Sequence, residues 1–300
     1  MNRRTYLHSL SALGFLPFMG NLLNMDAPVL RRPIPSSNEK ILAVGLGTWQ
    51  TFDAGDNEKE RAPLKEVLKT LVEKGGTVVD SSPMYGSSER VVGDLSTELG
   101  LNDKLFIATK VWTTGKEAGI RQMNNSFALL KRKTIDLMQI HNLVDWQTHI
   151  NTLRSWKEEG KIRYVGVTHY TEGAYASIAQ ILKTTPLDFL QINYSLLSRK
   201  AEDELFPLAM EKKVAVIINQ PFEEGELFSR VKGKPLPPWT KEFDCNSWGQ
   251  FFLKFILAQP AVTCVIPGTS KPHHMLDNLV AGFGKLPSRK HLRQMIDLVG

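Results

Sequence analysis

Apolar positions in this chain follow two different spacings. Stripes of the i, i+3, i+4, i+7 kind, which give a helix one apolar face, run through Leu64/Val67/Leu68/Leu71, Tyr175/Ile178/Ala179/Leu182, Met275/Leu276/Leu279 and Leu292/Met295/Ile296/Val299. Among them lie eight short, nearly continuous apolar runs at residues 43–47, 77–80, 105–110, 135–141, 162–168, 187–193, 214–218 and 262–266. Runs of that kind suit strands buried on both faces, and their alternation with amphipathic helices predicts parallel strands covered by helices. Eight such units in roughly 250 residues fit a single-domain α/β fold, the (β/α)8 or TIM barrel, better than an open sheet. The open doubly wound sheet is the runner-up, but no G-x-G-x-x-G follows the first strand. Residues 34–41 read as a small hairpin placed to close the bottom of the barrel. Residues 222–245, with Pro235-Leu236-Pro237-Pro238, form the longest interruption, and a loop of that length in a compact domain is usually functional.

Composition adds exclusions. With 300 residues, 42% of them hydrophobic and 23% charged, the chain is globular, neither disordered nor fibrous. The net charge of +6 comes without a long basic block, so no nucleic acid partner is expected. The densest basic cluster, Lys131-Arg132-Lys133, reads as the solvated end of a helix. Cys245 and Cys264 supply neither a disulfide framework nor a metal-ligand spacing. His273 and His274 are neighbours on a predicted helix and so should point apart, and no metal is expected. No apolar run reaches the roughly 20 residues that span a bilayer, which predicts no stable membrane insertion.

The first residues read as an address. Asn2-Arg3-Arg4-Thr5-Tyr6-Leu7-His8, followed by a short Gly-interrupted apolar segment, resembles a twin-arginine (Tat) export signal. Residues 1–27 are then the signal and 28–300 the barrel, with the Tat machinery as a partner and the periplasm, or another site outside the cytoplasm, as the destination. The alternative is a cytosolic leader. A monomer is expected.

In a barrel of this kind chemistry sits where strands end, at the C-terminal face. The polar residues there are Asp80 after the second strand, Tyr85 in the next loop, Lys110 ending the third and His141 ending the fourth. Each alone suits a cap or an ordinary hydrogen bond. Four ionisable groups projected from three consecutive strands into one mouth would shift one another's pKa values, as acid/base sites do.

Five stretches in order carry a family resemblance: Gly45-Leu46-Gly47-Thr48-Trp49, Val79-Asp80-Ser81-Ser82-Pro83-Met84-Tyr85-Gly86-Ser87-Ser88-Glu89, Thr109-Lys110-Val111-Trp112, Gly160-Lys161-Ile162-Arg163-Tyr164-Val165-Gly166-Val167 and Ile266-Pro267-Gly268-Thr269-Ser270-Lys271. Across about residues 34–284 the chain resembles the aldo-keto reductases. The resemblance implies a nicotinamide-dependent carbonyl reductase with a tetrad of Asp80, Tyr85, Lys110 and His141. Tyr85 would donate the proton, Lys110 would lower its pKa, Asp80 would hold Lys110 charged, and His141 would orient the carbonyl.

The same resemblance places Thr48, Thr168, His169 and Gln191 near the nicotinamide, and Thr269, Ser270, Lys271, His274 and Asn278 at the adenosine end. NADP is the cofactor expected, with NAD possible in its place. The chain departs from the family pattern in having Thr168-His169 where Ser-Asn is common, Asn219-Gln220-Pro221 where a stacking Tyr is common, and His274 where Arg is common. Trp49, Met84 and Trp112, with Trp146 as a further candidate, would line an apolar pocket for an aldehyde or ketone; the alternative for Met84 and Trp146 is that they pack loops. The short tail after the last stripe implies a broad pocket. A second functional reading is a non-catalytic dinucleotide-binding barrel acting as a sensor or partner subunit. A cofactor-free hydrolase lacks its G-x-S-x-G or metal cluster.

Overall fold

The computed structural model describes residues 29–299; the export segment read from residues 1–27, and its junction at 28, lie outside them. The first elements of the described residues form a hairpin, β1 (Arg31–Pro33) antiparallel to β2 (Lys40–Leu42). Eight strands follow: β3 (Leu46–Gly47), β4 (Val78–Asp80), β5 (Phe106–Val111), β6 (Ile135–His141), β7 (Ile162–Thr168), β8 (Phe189–Asn193), β9 (Ala215–Asn219) and β10 (Val262–Val265). They pair in sequence order, each neighbour parallel. Parallel bridges Val44–Val265 and Gly47–Gly268 join the last strand to the first, closing the predicted (β/α)8 barrel.

The covering helices are α1 (Glu58–Glu73), α2 (Ser88–Glu98), α3 (Lys116–Leu129), α4 (Trp146–Glu158), α5 (Tyr175–Thr184), α6 (Leu205–Glu211), the short α7 (Glu226–Arg230), α8 (Trp248–Leu257), α9 (Pro272–Val280) and α10 (Arg289–Val299). The stripes read from the sequence are the buried faces of α1 and α5. On α9 the stripe narrows to Met275 and Leu279, and Leu276 faces outward. Helix α8 shows no stripe because residues 249–257 are buried all round. The basic cluster does follow the end of α3, with Lys131 and Lys133 exposed; Lys131 also pairs with Asp94 at 2.6 Å, and the less exposed Arg132 donates to the carbonyls of Asn102 and Leu105.

Inside the barrel the two-residue period of the strands sets layers. Val78, Phe106, Ala108, Leu137, Tyr164, Phe189, Ala215, Ile217 and Cys264 form one apolar interior cluster, and Ile34 and Ile41 of the hairpin join it from below. The hairpin is therefore the floor of the barrel. Polar bonds pin it there: Arg163 of β7 pairs with Glu39 and, at 2.7 Å, with Asp136, and the Tyr164 hydroxyl donates to Glu39 at 2.7 Å. Ile34 has no exposed surface. Its truncation in Ile34→Ala is expected to lower the free energy of unfolding by about 3 kcal/mol, measured by urea denaturation; a change under about 1 kcal/mol would mean that the hairpin is an ornament.

Candidate active site

Following each inward row upward gives the site. Val78 leads to Asp80, Phe106 and Ala108 to Lys110, Leu137 and Gln139 to His141, Tyr164 to Thr168, Phe189 to Gln191, and Ala215 and Ile217 to Asn219. The strands are apolar below and polar at their C-terminal tips, and the tips open into a cavity of about 700 Å³.

At its base lies a fully buried ion pair. Lys110 Nζ donates to Asp80 Oδ1 at 2.5 Å and to the Ser81 carbonyl at 2.7 Å. The other carboxylate oxygen, Oδ2, accepts from Gln139 Nε2 at 3.1 Å and Gln191 Nε2 at 2.9 Å. Thr168 donates to Gln191 Oε1 at 3.1 Å, which leaves the amide nitrogen of Gln191 turned to Asp80. Burial works against the lysine's charge, but Asp80 and Tyr85 more than offset it, and the pKa of Lys110 rises.

Tyr85 stands on the loop after β4. Its N–H donates to the Ser82 carbonyl at 3.0 Å. The next residue, Gly86, has φ of +58°, and a Cβ there would fall 2.3 Å from Asp53 Oδ2. Only glycine allows that approach, and Asp53 uses it to accept from the Ser87 N–H at 2.8 Å and the Ser87 hydroxyl at 2.7 Å. So held, the Tyr85 ring lies 4.8 Å from Lys110 Nζ and edge-on to His141, with centroids 5.7 Å apart.

Burial pushes the Tyr85 phenol above its ordinary pKa; Lys110 pulls it down and Asp80 pushes it up. The lysine therefore does not lower the phenol below its usual range, as the sequence suggested. Its charge is largely matched by Asp80, and the phenol meets a nearly neutral pair in a dry site. His141 is held neutral, its pKa brought down to about 2 by burial and by the positive charges of Lys110 and His169. The Ser82 hydroxyl, 3.0 Å from His141 Nδ1, accepts from the Met84 N–H at 3.3 Å.

Among the residues assigned to a dinucleotide, Thr48, Thr168 and Gln191 line the cavity. Thr48 Oγ1 donates to the Asp80 carbonyl and is hydrogen-bonded with the Ser81 hydroxyl, each at 3.0 Å. His169 stands outside the cavity lining, stacked on Tyr170 with centroids 5.5 Å apart. Thr269, Ser270 and Lys271 lead from β10 into α9, where Asn278 is buried and His274 exposed; none of these five borders the cavity. The rings of His273 and His274 do not diverge but meet at 4.4 Å. Among the described residues no group of three or more His, Cys, Asp or Glu is placed to hold a metal.

Trp49, Met84 and Trp112 all line the cavity and are each partly exposed. Trp146 packs against the core instead. Sequence reasoning missed Tyr170, Phe222 and Phe228 among the apolar walls, and Asn142, Gln220 and Glu224 among the polar ones. For Phe222, Glu224 and Phe228 the signal was the long interruption itself.

The Aldo/keto reductase family model matches residues 43–293. The chain belongs to the aldo/keto reductase family. It is 28% identical over 219 residues to the aldo-keto reductase YhdN of Bacillus subtilis, a match covering 67% of this chain and 63% of that protein, so the chain spans less than two thirds of YhdN's length. To the NADH-specific methylglyoxal reductase of Escherichia coli it is 26% identical over 306 residues, covering 83% of this chain and 92% of that one. A Klebsiella pneumoniae aldo-keto reductase, solved in complex with NADPH, shares the fold with a TM-score of 0.75 at 24% identity over 90% of this chain and 95% of that one.

Proposed function

We propose that the protein reduces an aldehyde or ketone to an alcohol, with NADP(H) as its cofactor. The observation that carries this reading is the convergence of Asp80, Tyr85 and His141 at the base of one apolar-walled cavity, with Lys110 buried behind them against Asp80 and Tyr85. When bound, the nicotinamide supplies the hydride that reduces the carbonyl carbon. Negative charge then grows on the carbonyl oxygen, and Tyr85, kept protonated by burial, gives its phenolic proton to that oxygen. Lys110 stabilises the phenolate left behind, and Asp80 keeps Lys110 charged and in place. Neutral His141 offers a ring N–H to orient the carbonyl. A sensor or partner subunit that only bound dinucleotide would have no use for this set.

The residues present fit the cofactor. Asn142 and Asn219 line the cavity, and each carries a buried side-chain oxygen with no hydrogen-bond partner, an acceptor suited to a primary amide. With Thr48, Thr168 and Gln191, and His169 behind them, they would hold the nicotinamide end. Lys271 is exposed and has no ion-pair partner among the described residues. It precedes the N-terminus of the nine-residue α9, where backbone dipoles add positive potential. Thr269, Ser270, Lys271, His274 and Asn278 would hold the adenosine end. Trp49, Met84, Trp112, Tyr170 and Phe228 offer apolar walls to the substrate's aromatic or aliphatic body. We take the protein to act as a monomer. We further propose that residues 1–27 direct export by the Tat route, which carries folded cargo and so suits a barrel that binds its dinucleotide before leaving the cytoplasm.

Tyr85→Phe keeps the ring and removes the proton, so kcat for aldehyde reduction should fall by about a hundredfold or more while NADPH affinity is retained. In the wild type the rate should decline only as alkaline pH ionises Tyr85, because reduction needs the protonated phenol and its pKa lies above the ordinary value. Lys110→Met should move that decline to still higher pH, and His141 should add no limb between about pH 5 and 8. Undiminished turnover by Tyr85→Phe would end the assignment.

Cofactor choice is tested at Lys271. The named relatives include an NADH-specific enzyme and a structure with NADPH, so the choice falls to this chain's own residues. Lys271 and the hydroxyls of Thr269 and Ser270 favour the 2′-phosphate, whereas His274 gives up the always-charged fork that arginine would offer. A modest NADPH preference is expected in fluorescence titrations, and Lys271→Ala should erase it. Tighter NADH binding by the wild type at low salt would reverse the assignment.

Export is tested at Arg3 and Arg4. Replacing both with Lys should keep an active, uncleaved precursor in the cytoplasm, while the wild type appears outside it on fractionation. Equal export of the two would remove the Tat reading.

A further inference from the structure

Three of the four residues after β5, Trp112-Thr113-Thr114-Gly115, are fixed by side chains reaching in from elsewhere. Gln122 of α3 spends both ends of its amide on one residue: Oε1 accepts from the Trp112 N–H at 2.6 Å, and Nε2 donates to the Trp112 carbonyl at 3.1 Å. His149 of α4 donates from Nε2 to the Thr113 carbonyl at 2.7 Å. Asp145, held at φ of +46°, accepts from the Gly115 N–H at 2.7 Å, and its other oxygen takes the Thr148 hydroxyl, also at 2.7 Å.

His149 occupies its place at a cost. Its ring is wholly buried, and Nδ1 has no hydrogen-bond partner. An apolar side chain would fill the space without an orphaned nitrogen, so packing alone does not account for the imidazole. Gly119 of α3 makes the room: a Cβ there would lie 2.4 Å from His149 Cε1 and 2.7 Å from Nδ1.

Of the three residues so held, Trp112, Thr113 and Gly115, Trp112 is the one that lines the cavity. Its indole lies 6.4 Å from the His141 ring at an interplanar angle of 59°. A tryptophan has two side-chain torsions, so fixing its main chain limits the ring to a small set of rotamers.

We propose that Gln122 and His149, with Gly119 giving the imidazole its room, are positioning residues that set the Trp112 indole as one wall of the substrate cavity, and thereby favour carbonyl compounds with a flat aromatic body. The proposal deepens the carbonyl-reductase reading and rests on it. An aromatic substrate gains contact with a ring already in place. Where the segment moves freely, the wall is formed only part of the time, and the apparent affinity falls by that fraction. A small aliphatic aldehyde, bound close to Tyr85 and His141, does not depend on the wall.

The test uses the full chain with NADPH and two substrates, 2-naphthaldehyde and propanal. In Gln122→Ala and in His149→Ala, KM for naphthaldehyde should rise about tenfold, the worth of a hydrogen bond or two. The kcat values should hold within about twofold, with KM for propanal and the affinity for NADPH unchanged. His149→Gln, whose amide reaches as Nε2 does, should restore KM for naphthaldehyde. In a Trp112→Ala background, Gln122→Ala should add nothing, because its effect passes through the indole. Equal losses for both aldehydes, or a full effect of Gln122→Ala without the indole, would overturn the proposal. If His149→Ala fails to fold, Gln122→Ala on the outer helix decides the matter alone.

Should neither aldehyde cause the wild type to oxidise NADPH, it is the reductase reading that fails. The clamp is then judged by hydrogen exchange at the Trp112 amide, which should quicken about tenfold in Gln122→Ala. Unchanged exchange would overturn the clamp by itself.

Discussion

An ammonium group with no solvent contact persists only where something beside it takes its charge. Here that is Asp80, 2.5 Å from Lys110. Leaving either partner buried alone costs about 3–5 kcal/mol, so the two side chains stand or fall together. The pair also gathers the barrel. Asp80 projects from β4, Lys110 reaches it from β5, Gln139 from β6 and Gln191 from β8. Four of the eight strands thus meet at one carboxylate.

This arrangement has an electrostatic result. The lysine's charge is answered inside the protein, leaving little net charge at the base of the cavity. Tyr85 and His141 accordingly face the cavity as neutral donors, one a phenol kept protonated by burial and the other an imidazole that does not take up a second proton. In the reaction we propose, a carbonyl ground state would meet two neutral hydrogen-bond donors, and the ammonium behind the phenol would gain importance only as charge passed to the tyrosine oxygen.

Much of this was legible because strand alternation is a rigid rule. Asp80, Lys110 and His141 end apolar runs, and the two-residue period then dictates that they share the interior with Val78, Ala108 and Leu137. Gln139 obeys the same rule two residues before His141 and was readable on that ground: an inward polar residue in an otherwise apolar strand needs a partner. Tyr170, Phe222 and Phe228 had no such rule behind them, because loops carry no period and their reach toward the mouth is set by tertiary packing. The sign of the Tyr85 shift was out of reach for another reason. Sequence reveals which charges can meet, but not how much water is excluded around them. His273 and His274 show the limit of helix geometry too, since Cβ directions diverge while two flexible side chains still turn toward each other.

The floor of the barrel has a consequence for orientation. Helix α9 runs back from the mouth, and just beyond its end the Leu30 N–H donates to the Gly282 carbonyl at 2.7 Å while Val29 bridges to Phe283. The described chain therefore enters the molecule at the pole opposite the cavity. A carrier domain, resin or electrode coupled ahead of Val29 would hold the protein by its closed end, mouth outward. The molecule carries its own handle on the side away from its chemistry.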